Sequence, residues 1–115
     1  MTETLHLLVV DDELGMRLSV ERALRNYSTH LADFQHDVNF RISQAESGEA
    51  ALQVIESDLP DIILLDYKLP GISGLDVLTE LKERKLDILV VMVTAYASLE
   101  TAVQATKSGA FDFLA

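Results

Sequence analysis

The chain has 115 residues, which fits a single domain, and 49% of them are hydrophobic, which is enough to build a core. Its 9 Lys and Arg against 19 Asp and Glu give a formal net charge of −10. Nucleic-acid binding needs cationic side chains to replace the counterions on phosphates, so no direct nucleic-acid contact is expected. There is no cysteine, and no apolar run approaches the ~18 residues of a membrane span. We therefore expect a cytoplasmic protein that does not enter the membrane.

Short apolar runs alternate with helical stripes along the chain. The runs predict five strands, at Leu5–Val10, Asn39–Ala45, Asp61–Leu65, Ile88–Val93 and Phe111–Leu114. The stripes between them predict four helices, which are marked by Met16, Val20, Ala23, Leu24 and Tyr27; by Ser47 as N-cap with Ala51, Leu52 and Ile55; by Leu75, Leu78 and Leu81; and by Ser98 as N-cap with Leu99, Ala102, Val103 and Thr106. This alternation predicts an α/β domain built on a parallel sheet with right-handed crossovers.

The connection from Ser28 to Val38 is long for a helix-to-strand link, where about 2–6 residues are usual. Leu31, Phe34 and Val38 are spaced for one helical face. A helix extension or an ordered loop is favoured, and a partner surface is the alternative.

Polar residues follow three of the apolar runs at the point where each strand ends. The first strand runs into Asp11 and Asp12, the third into Asp66 and the fourth into Thr94. Ligands of such sheets bind beyond the carboxyl ends of the strands, and these four residues all fall there. The histidines, by contrast, show no metal-ligand spacing, so a structural role is favoured for them.

Three carboxylates at one edge repel each other unless one is protonated or a divalent cation binds. Mg²⁺ prefers hard oxygen ligands and takes one or two protein carboxylates together with phosphate oxygens. In a consistent division of roles, two of the acids bind the metal, and Asp66 is the nucleophile that forms an acyl phosphate. Thr94, on the adjacent strand, would donate its hydroxyl to a phosphoryl oxygen.

At these residues the sequence resembles the receiver domain of two-component response regulators. The resemblance covers almost the whole chain, and the end of the chain is most similar to receivers of nitrogen-regulation-type (sigma-54-dependent) transcriptional activators. The motifs that carry it are Val9-Val10-Asp11-Asp12-Glu13, Leu64-Leu65-Asp66-Tyr67-Lys68-Leu69-Pro70-Gly71, Gly74-Leu75, Val93-Thr94-Ala95-Tyr96 and Ser108-Gly109-Ala110-Phe111-Asp112-Phe113.

The resemblance implies a flavodoxin-like (CheY-like) doubly wound five-stranded parallel sheet with strand order 2-1-3-4-5. It implies that Asp66 accepts a phosphoryl group from a sensor histidine kinase or phosphotransfer protein. Asp12 and Asp66 would bind Mg²⁺ directly with the backbone carbonyl of Lys68, and Asp11 would act mainly through water. Such a domain catalyses only its own phosphorylation and dephosphorylation, so it is not an enzyme acting on outside substrates.

The resemblance also implies a switch and an output. Thr94 would move toward the phosphoryl group, and Phe113 would be the aromatic residue that turns inward with it. An output domain would follow in the same chain. The family's lysine would come one residue after Ala115, and the family's final helix is missing from this chain. Residues 1–115 are therefore expected to be a receiver domain truncated before the last helix, with an exposed sheet flank that favours a homodimer or swapped dimer.

Two other functions stay open at this point. A metal-dependent phosphatase working through an aspartyl phosphate would use similar carboxylates. Haloacid-dehalogenase-like enzymes, however, carry Asp-x-Asp on the first strand, whereas Asp11 and Asp12 are adjacent here. A receiver-like binding module that is never phosphorylated is the second alternative, favoured by the absent lysine and disfavoured by the intact acidic cluster.

Overall fold

A computed structural model describes residues 2–31, 37–93 and 112–114 of the chain. Its strands are β1 (Thr2–Val10), β2 (Asp37–Ala45), β3 (Ile62–Asp66), β4 (Leu89–Val93) and β5 (Asp112–Leu114). They form one parallel sheet in the order β2-β1-β3-β4-β5. The helices are α1 (Leu14–Leu31), α2 (Gly48–Ser57) and α3 (Gly74–Glu83). The predicted fold and strand order are confirmed, and the predicted helix after Ser98 lies outside the described residues.

The main core lies between the sheet and helices α2 and α3. Alternate residues of the central strands point into it and are almost fully buried, among them Ile63, Leu65 and Met92 at 0% exposure. Val77 and Leu81 of α3 meet them from the helix layer. Burying one such side chain contributes about 1.5–3 kcal/mol, so this layer supplies a large part of the driving force for folding.

The other side of the sheet is less well covered. In β3 and β4 the residues between the core positions, such as Leu64 and Val93, stay half-buried. Of the three described helices, α1 lies on this side, and it contacts mainly β2. The helix predicted from the apolar stripe is confirmed, but the stripe is only partly buried: Met16 is 46% exposed, and Ala23 is exposed too. Met16 lines a small cleft with Val20, Leu64 and Val93, where it stays partly open to solvent.

The long connection predicted between the first helix and the second strand is shorter than the sequence suggests. Helix α1 continues to Leu31 and β2 begins at Asp37. The helix-extension reading of Ser28–Val38 is therefore confirmed for its first residues, and the alternative of a partner surface is not tested. Phe34 lies outside the described residues.

Side-chain caps set where the two shorter helices begin. The predicted N-cap Ser47 accepts a hydrogen bond from the Ala50 N–H at 3.1 Å. Ser73 caps α3 in a reciprocal capping box with Asp76, which the sequence analysis did not predict. Each cap contributes about 1 kcal/mol and fixes the entry of the chain into the helix.

Hydrogen bonds also lock the end of the sheet remote from Asp11 and Asp66. The N–H of His6 donates to Asp61 Oδ2 at 2.8 Å, and the N–H of Asp61 donates to the His6 carbonyl at 2.8 Å. Leu89 N–H donates to the Asp61 carbonyl at 3.2 Å. Asp61 thus joins the middle of β1 to the starts of β3 and β4.

His6 is 3% exposed, and its ring is held from two directions. Its Nε2 lies 2.7 Å from the hydroxyl oxygen of Ser43, and its Nδ1 lies 3.4 Å from the carbonyl of Leu59. A buried imidazole with both nitrogens near partners is a packing element, which fits the structural role predicted for His6.

Candidate metal and phosphoryl site

The strand register brings the predicted acidic residues together. Val10 of β1 pairs with Leu65 of β3, so Asp11 and Asp66 follow at the same level of the sheet. Oxygen atoms of Asp11, Asp12 and Asp66 all lie within 4.8 Å of one another. The convergence predicted at the ends of three strands is therefore present for the three carboxylates, which belong to two of these strand ends.

Asp66 is partly buried at the end of β3, beside the other two carboxylates. Burial raises its pKa, and the nearby charges of Asp11 and Asp12 raise the pKa further. A hydrogen bond from the Lys68 N–H to Asp66 Oδ1, at 3.3 Å, acts in the opposite direction. The site therefore holds a partly desolvated carboxylate whose charged form a nearby cation would stabilise.

Asp11 is held through both its backbone and its side chain. Its N–H donates to the Ala45 carbonyl at 3.1 Å, which continues the pairing of β1 with β2 by one residue. Its Oδ1 accepts a hydrogen bond from the Glu13 N–H at 2.9 Å, which closes a short turn into α1. Asp12, between them, is exposed and points its carboxylate toward the same group of oxygens.

The donor set fits a hard divalent cation. Carboxylate oxygens are ligands that Mg²⁺ and Ca²⁺ prefer, and three of them this close are unfavourable without positive charge. Asp12 and Asp66 also line an open cleft together with Lys68 and Pro70. A phosphoryl-sized ligand can therefore approach the carboxylates from solvent.

The turn after β3 is shaped to present Asp66. A Cβ at Gly74 would collide with the carbonyl oxygen of Asp66, so only glycine allows α3 to begin this close to the strand end. The predicted turn at Leu69-Pro70-Gly71 is confirmed, since Gly71 has φ of 77°. The carboxylate of Glu49, at the start of α2, accepts a hydrogen bond from the Ile72 N–H at 2.9 Å.

The two predicted switch residues are placed only in part. Thr94 lies outside the described residues, but Val93, which precedes it, pairs with Asp66. Phe113 lies in β5 opposite Met92 of β4. The backbone is therefore consistent with both predictions without testing the roles of the two side chains.

Sequence reasoning missed two residues next to the site, Arg17 and Gln44. The guanidinium of Arg17 donates to the carbonyl of Asp11 at 2.7 Å and to Gln44 Oε1 at 3.0 Å. A signal did exist, because Gln44 stands where the alternation of Phe40 and Ile42 calls for an apolar residue. A polar residue on the inward side of a strand needs a partner, and here the partner is a cation.

Comparison with known proteins identifies the family. A profile of the family described as "Response regulator receiver domain" matches residues 7–115, and the chain belongs to that family. The fold prediction and the resemblance to receivers of two-component response regulators are thereby confirmed. The receiver reading is also favoured over the phosphatase alternative.

The relatives agree with the finer resemblance. The chain is 34% identical over 116 residues to the regulatory protein AtoC of Escherichia coli K12, covering 99% of this chain and 22% of that protein. It is 35% identical over 106 residues to the DNA-binding transcriptional regulator NtrC of the same organism, covering 92% and 20%. The chain thus spans about a fifth of the length of these relatives.

A solved structure shares the fold at similar identity. The response regulator TrrA of Thermotoga maritima, in complex with Mg²⁺ and BeF, superposes with a TM-score of 0.76 and 30% identity. The match covers 95% of this chain and 84% of that one.

No helix in the described ranges is long and apolar enough to cross a membrane.

Proposed function

We propose that Asp66 is the phosphoacceptor of this receiver domain and that the domain works as a phosphorylation-controlled switch. Mg²⁺ would be held by Asp12, Asp66 and the backbone carbonyl of Lys68, with Asp11 acting through water. Bound there, Mg²⁺ supplies positive charge that offsets the negative charge of the carboxylates and of the transferred phosphoryl group.

The observation that carries this proposal is the setting of Asp66 among the three carboxylates. It ends a central strand, it is partly desolvated, and its pKa is raised by burial. Desolvation makes a carboxylate oxygen a better nucleophile once a cation keeps it ionised. TrrA, which shares the fold, was solved with Mg²⁺ and BeF.

The reaction requires no proton from Asp66. The P–N bond of a phosphohistidine on a sensor histidine kinase or phosphotransfer protein would break as an oxygen of Asp66 forms the new P–O bond. The histidine leaves with the bonding electron pair and takes up a proton. The domain would then catalyse only its own phosphorylation and dephosphorylation.

The signal would pass to the rest of the regulator by a shift between two conformations. Thr94 would donate its hydroxyl to the phosphoryl group, and Phe113 would follow it inward. The proposed receiver, residues 1–115, would act on an output domain in the same chain and would not contact nucleic acid itself.

Chemical phosphorylation tests the assignment of Asp66. The chain is incubated with acetyl phosphate and Mg²⁺, and intact-mass spectrometry should show the gain of one phosphoryl group. Asp66→Asn should abolish that gain, and EDTA should reduce it strongly. Asp87→Asn is the matched control, because Asp87 is exposed and precedes β4 at the far end of the sheet.

Two outcomes would decide against this function. A full mass gain in Asp66→Asn would place the acceptor elsewhere. No gain in the unaltered chain, despite Mg²⁺ binding, would support the binding module that is never phosphorylated.

We also propose that the half-covered side of the sheet associates with a second copy, as a homodimer or a swapped dimer. Leu64 and Val93 are half-buried there, while parallel sheets are normally covered on both sides. Light scattering coupled to size exclusion should show a mass that rises with concentration. A strict monomer at high concentration would contradict the proposal.

A further inference from the structure

The loop that carries Asp11 and Asp12 is called the acidic loop here. Arg17 links it to the sheet through a single guanidinium group. Its Nη1 donates to the carbonyl oxygen of Asp11 at 2.7 Å, and its Nε donates to Gln44 Oε1 at 3.0 Å. The backbone of Arg17 also belongs to the first turn of α1, where its N–H donates to the Glu13 carbonyl at 3.2 Å. The residue therefore touches the loop, the helix and β2 at once.

Gln44 is held between two opposite charges on α1. While its oxygen faces Arg17, its amide nitrogen donates to Glu21 Oε2 at 3.0 Å. Arg17 and Glu21 are four residues apart and so lie on the same face of the helix. The reversed amide would place donor against donor at Arg17 and acceptor against acceptor at Glu21, so the two charges determine the orientation of Gln44.

These contacts restrain Asp11 in a way that the turn alone does not. The turn uses the Asp11 carboxylate and the β2 pairing uses its N–H, while Arg17 takes its carbonyl oxygen. The peptide unit between Asp11 and Asp12 is thus fixed at the carbonyl that precedes the exposed ligand candidate. A rotation of this peptide would move the Asp12 carboxylate away from Asp66.

We propose that Arg17, supported by Gln44, is a positioning residue that sets the affinity of the acidic site for Mg²⁺. This inference rests on the proposed function only for the use of the metal in phosphoryl transfer. Arg17 would not touch the metal or the phosphoryl group. It would keep Asp12 in reach of the cation by holding the Asp11 carbonyl.

The charge of Arg17 and its two hydrogen bonds have opposite effects on the affinity of the site for Mg²⁺. A cation near the site repels Mg²⁺, so removing the charge alone would strengthen metal binding. Losing the two hydrogen bonds would weaken binding, because the loop would no longer be held in place. Arg17→Lys separates the two effects, since lysine keeps the charge but cannot form the planar bridge between two acceptors.

The experiment measures Mg²⁺ affinity by titration calorimetry on the unaltered 115-residue chain and four variants. Arg17→Lys and Gln44→Ala should each raise the Kd for Mg²⁺ by roughly ten-fold, as loss of groups supporting metal ligands does elsewhere. Arg17→Ala should raise it by less, because the repelling charge is also gone. Arg22→Ala removes an exposed charge from the same helix and should leave the Kd unchanged.

A second readout separates positioning from a general loss of stability. At saturating Mg²⁺, phosphorylation by acetyl phosphate should recover to within about two-fold of the unaltered chain in Arg17→Lys. An unchanged Kd in Arg17→Lys and Gln44→Ala, with thermal unfolding lowered, would overturn the inference and leave a purely structural role.

The proposal that Asp66 is phosphorylated and the proposal that Arg17 sets the affinity for Mg²⁺ fail in different ways. If the unaltered chain binds Mg²⁺ but gains no phosphoryl group, the proposed function fails while the Kd comparison still judges Arg17. If Arg17→Lys does not fold, Gln44→Ala carries the same test without a change of charge. If the unaltered chain binds no Mg²⁺, the inference is overturned.

Discussion

The carboxylate of Glu49 and the backbone N–H of Ile72 are joined by a 2.9 Å hydrogen bond. The bond ties the first turn of α2 to the turn that follows Asp66, although the two residues are 23 positions apart. It also holds the pKa of Glu49 below its usual value. A Cβ at Gly71 would press on the same carboxylate, so the turn fits closely around it.

Replacing Glu49 by Ala should loosen the turn beside Asp66. Hydrogen exchange at the Ile72 amide should become on the order of ten-fold faster, because the amide loses its acceptor. The pKa of Glu49 is lowered in the folded state, so the stabilisation is present above the unfolded-state pKa and is lost as pH falls through the folded pKa. The difference in Ile72 hydrogen-exchange rate between Glu49→Ala and the unaltered chain should therefore shrink on acidification. Glu56→Ala, on the exposed surface of the same helix, should behave like the unaltered chain.

Asp66→Asn should raise the melting temperature at neutral pH when EDTA removes divalent ions. Burial raises the pKa of Asp66, so the folded state favours the protonated form. The associated stability is present below the unfolded-state pKa and is lost as pH rises through the folded pKa. Asparagine carries no charge and is not subject to that loss of stability. The difference in melting temperature between Asp66→Asn and the unaltered chain should therefore narrow at acid pH. A lower melting temperature for Asp66→Asn at neutral pH would contradict this account of the site.

Ser43→Ala should destabilise the fold although Ser43 takes no part in the acidic site. The substitution leaves Nε2 of the buried His6 ring without its partner, which costs about 1–3 kcal/mol. Urea unfolding would measure the loss. Ser57→Ala removes a hydroxyl that is exposed at the end of α2 and should change stability by much less.

Two neighbouring leucines of β3 should respond differently to truncation. Leu65 is fully buried in the main core, and Leu65→Ala should cost about 2–5 kcal/mol. Leu64 faces the less covered side and is half-buried, so Leu64→Ala should cost less than about 2 kcal/mol. Equal losses in urea unfolding would show that the Leu64 side is covered in solution.

The sheet and its carboxylates were accessible to sequence reasoning because both depend on local patterns. Continuous apolar runs mark strands buried on both sides, and a polar residue at the end of each run falls at one edge of a parallel sheet. Asp11, Asp12 and Asp66 were found in this way.

The supporting contacts were not accessible, because they join segments whose spacing follows no pattern. Gln44 and Arg17 are 27 positions apart and meet only after β2 has paired with β1. Glu49 in the first turn of a helix is equally well explained by the helix dipole. The exposure of Met16 was not accessible for a related reason, because an apolar stripe shows which face of a helix is apolar but not how deeply that face is buried.

Asp61 ties three neighbouring strands together at the end of the sheet remote from Asp66. Its backbone and carboxylate join the middle of β1, at His6, to the starts of β3 and β4, and Asp11, Asp12 and Asp66 lie at the carboxyl ends of β1 and β3. When strands are held together at one level of the sheet, their displacement grows with distance from that level. Thermal motion should therefore increase along each strand toward Asp66, and NMR order parameters should fall in that direction. A fluorophore placed near Asp61 would report little of the motion at Asp66, whereas one at the far ends of the strands would report most of it.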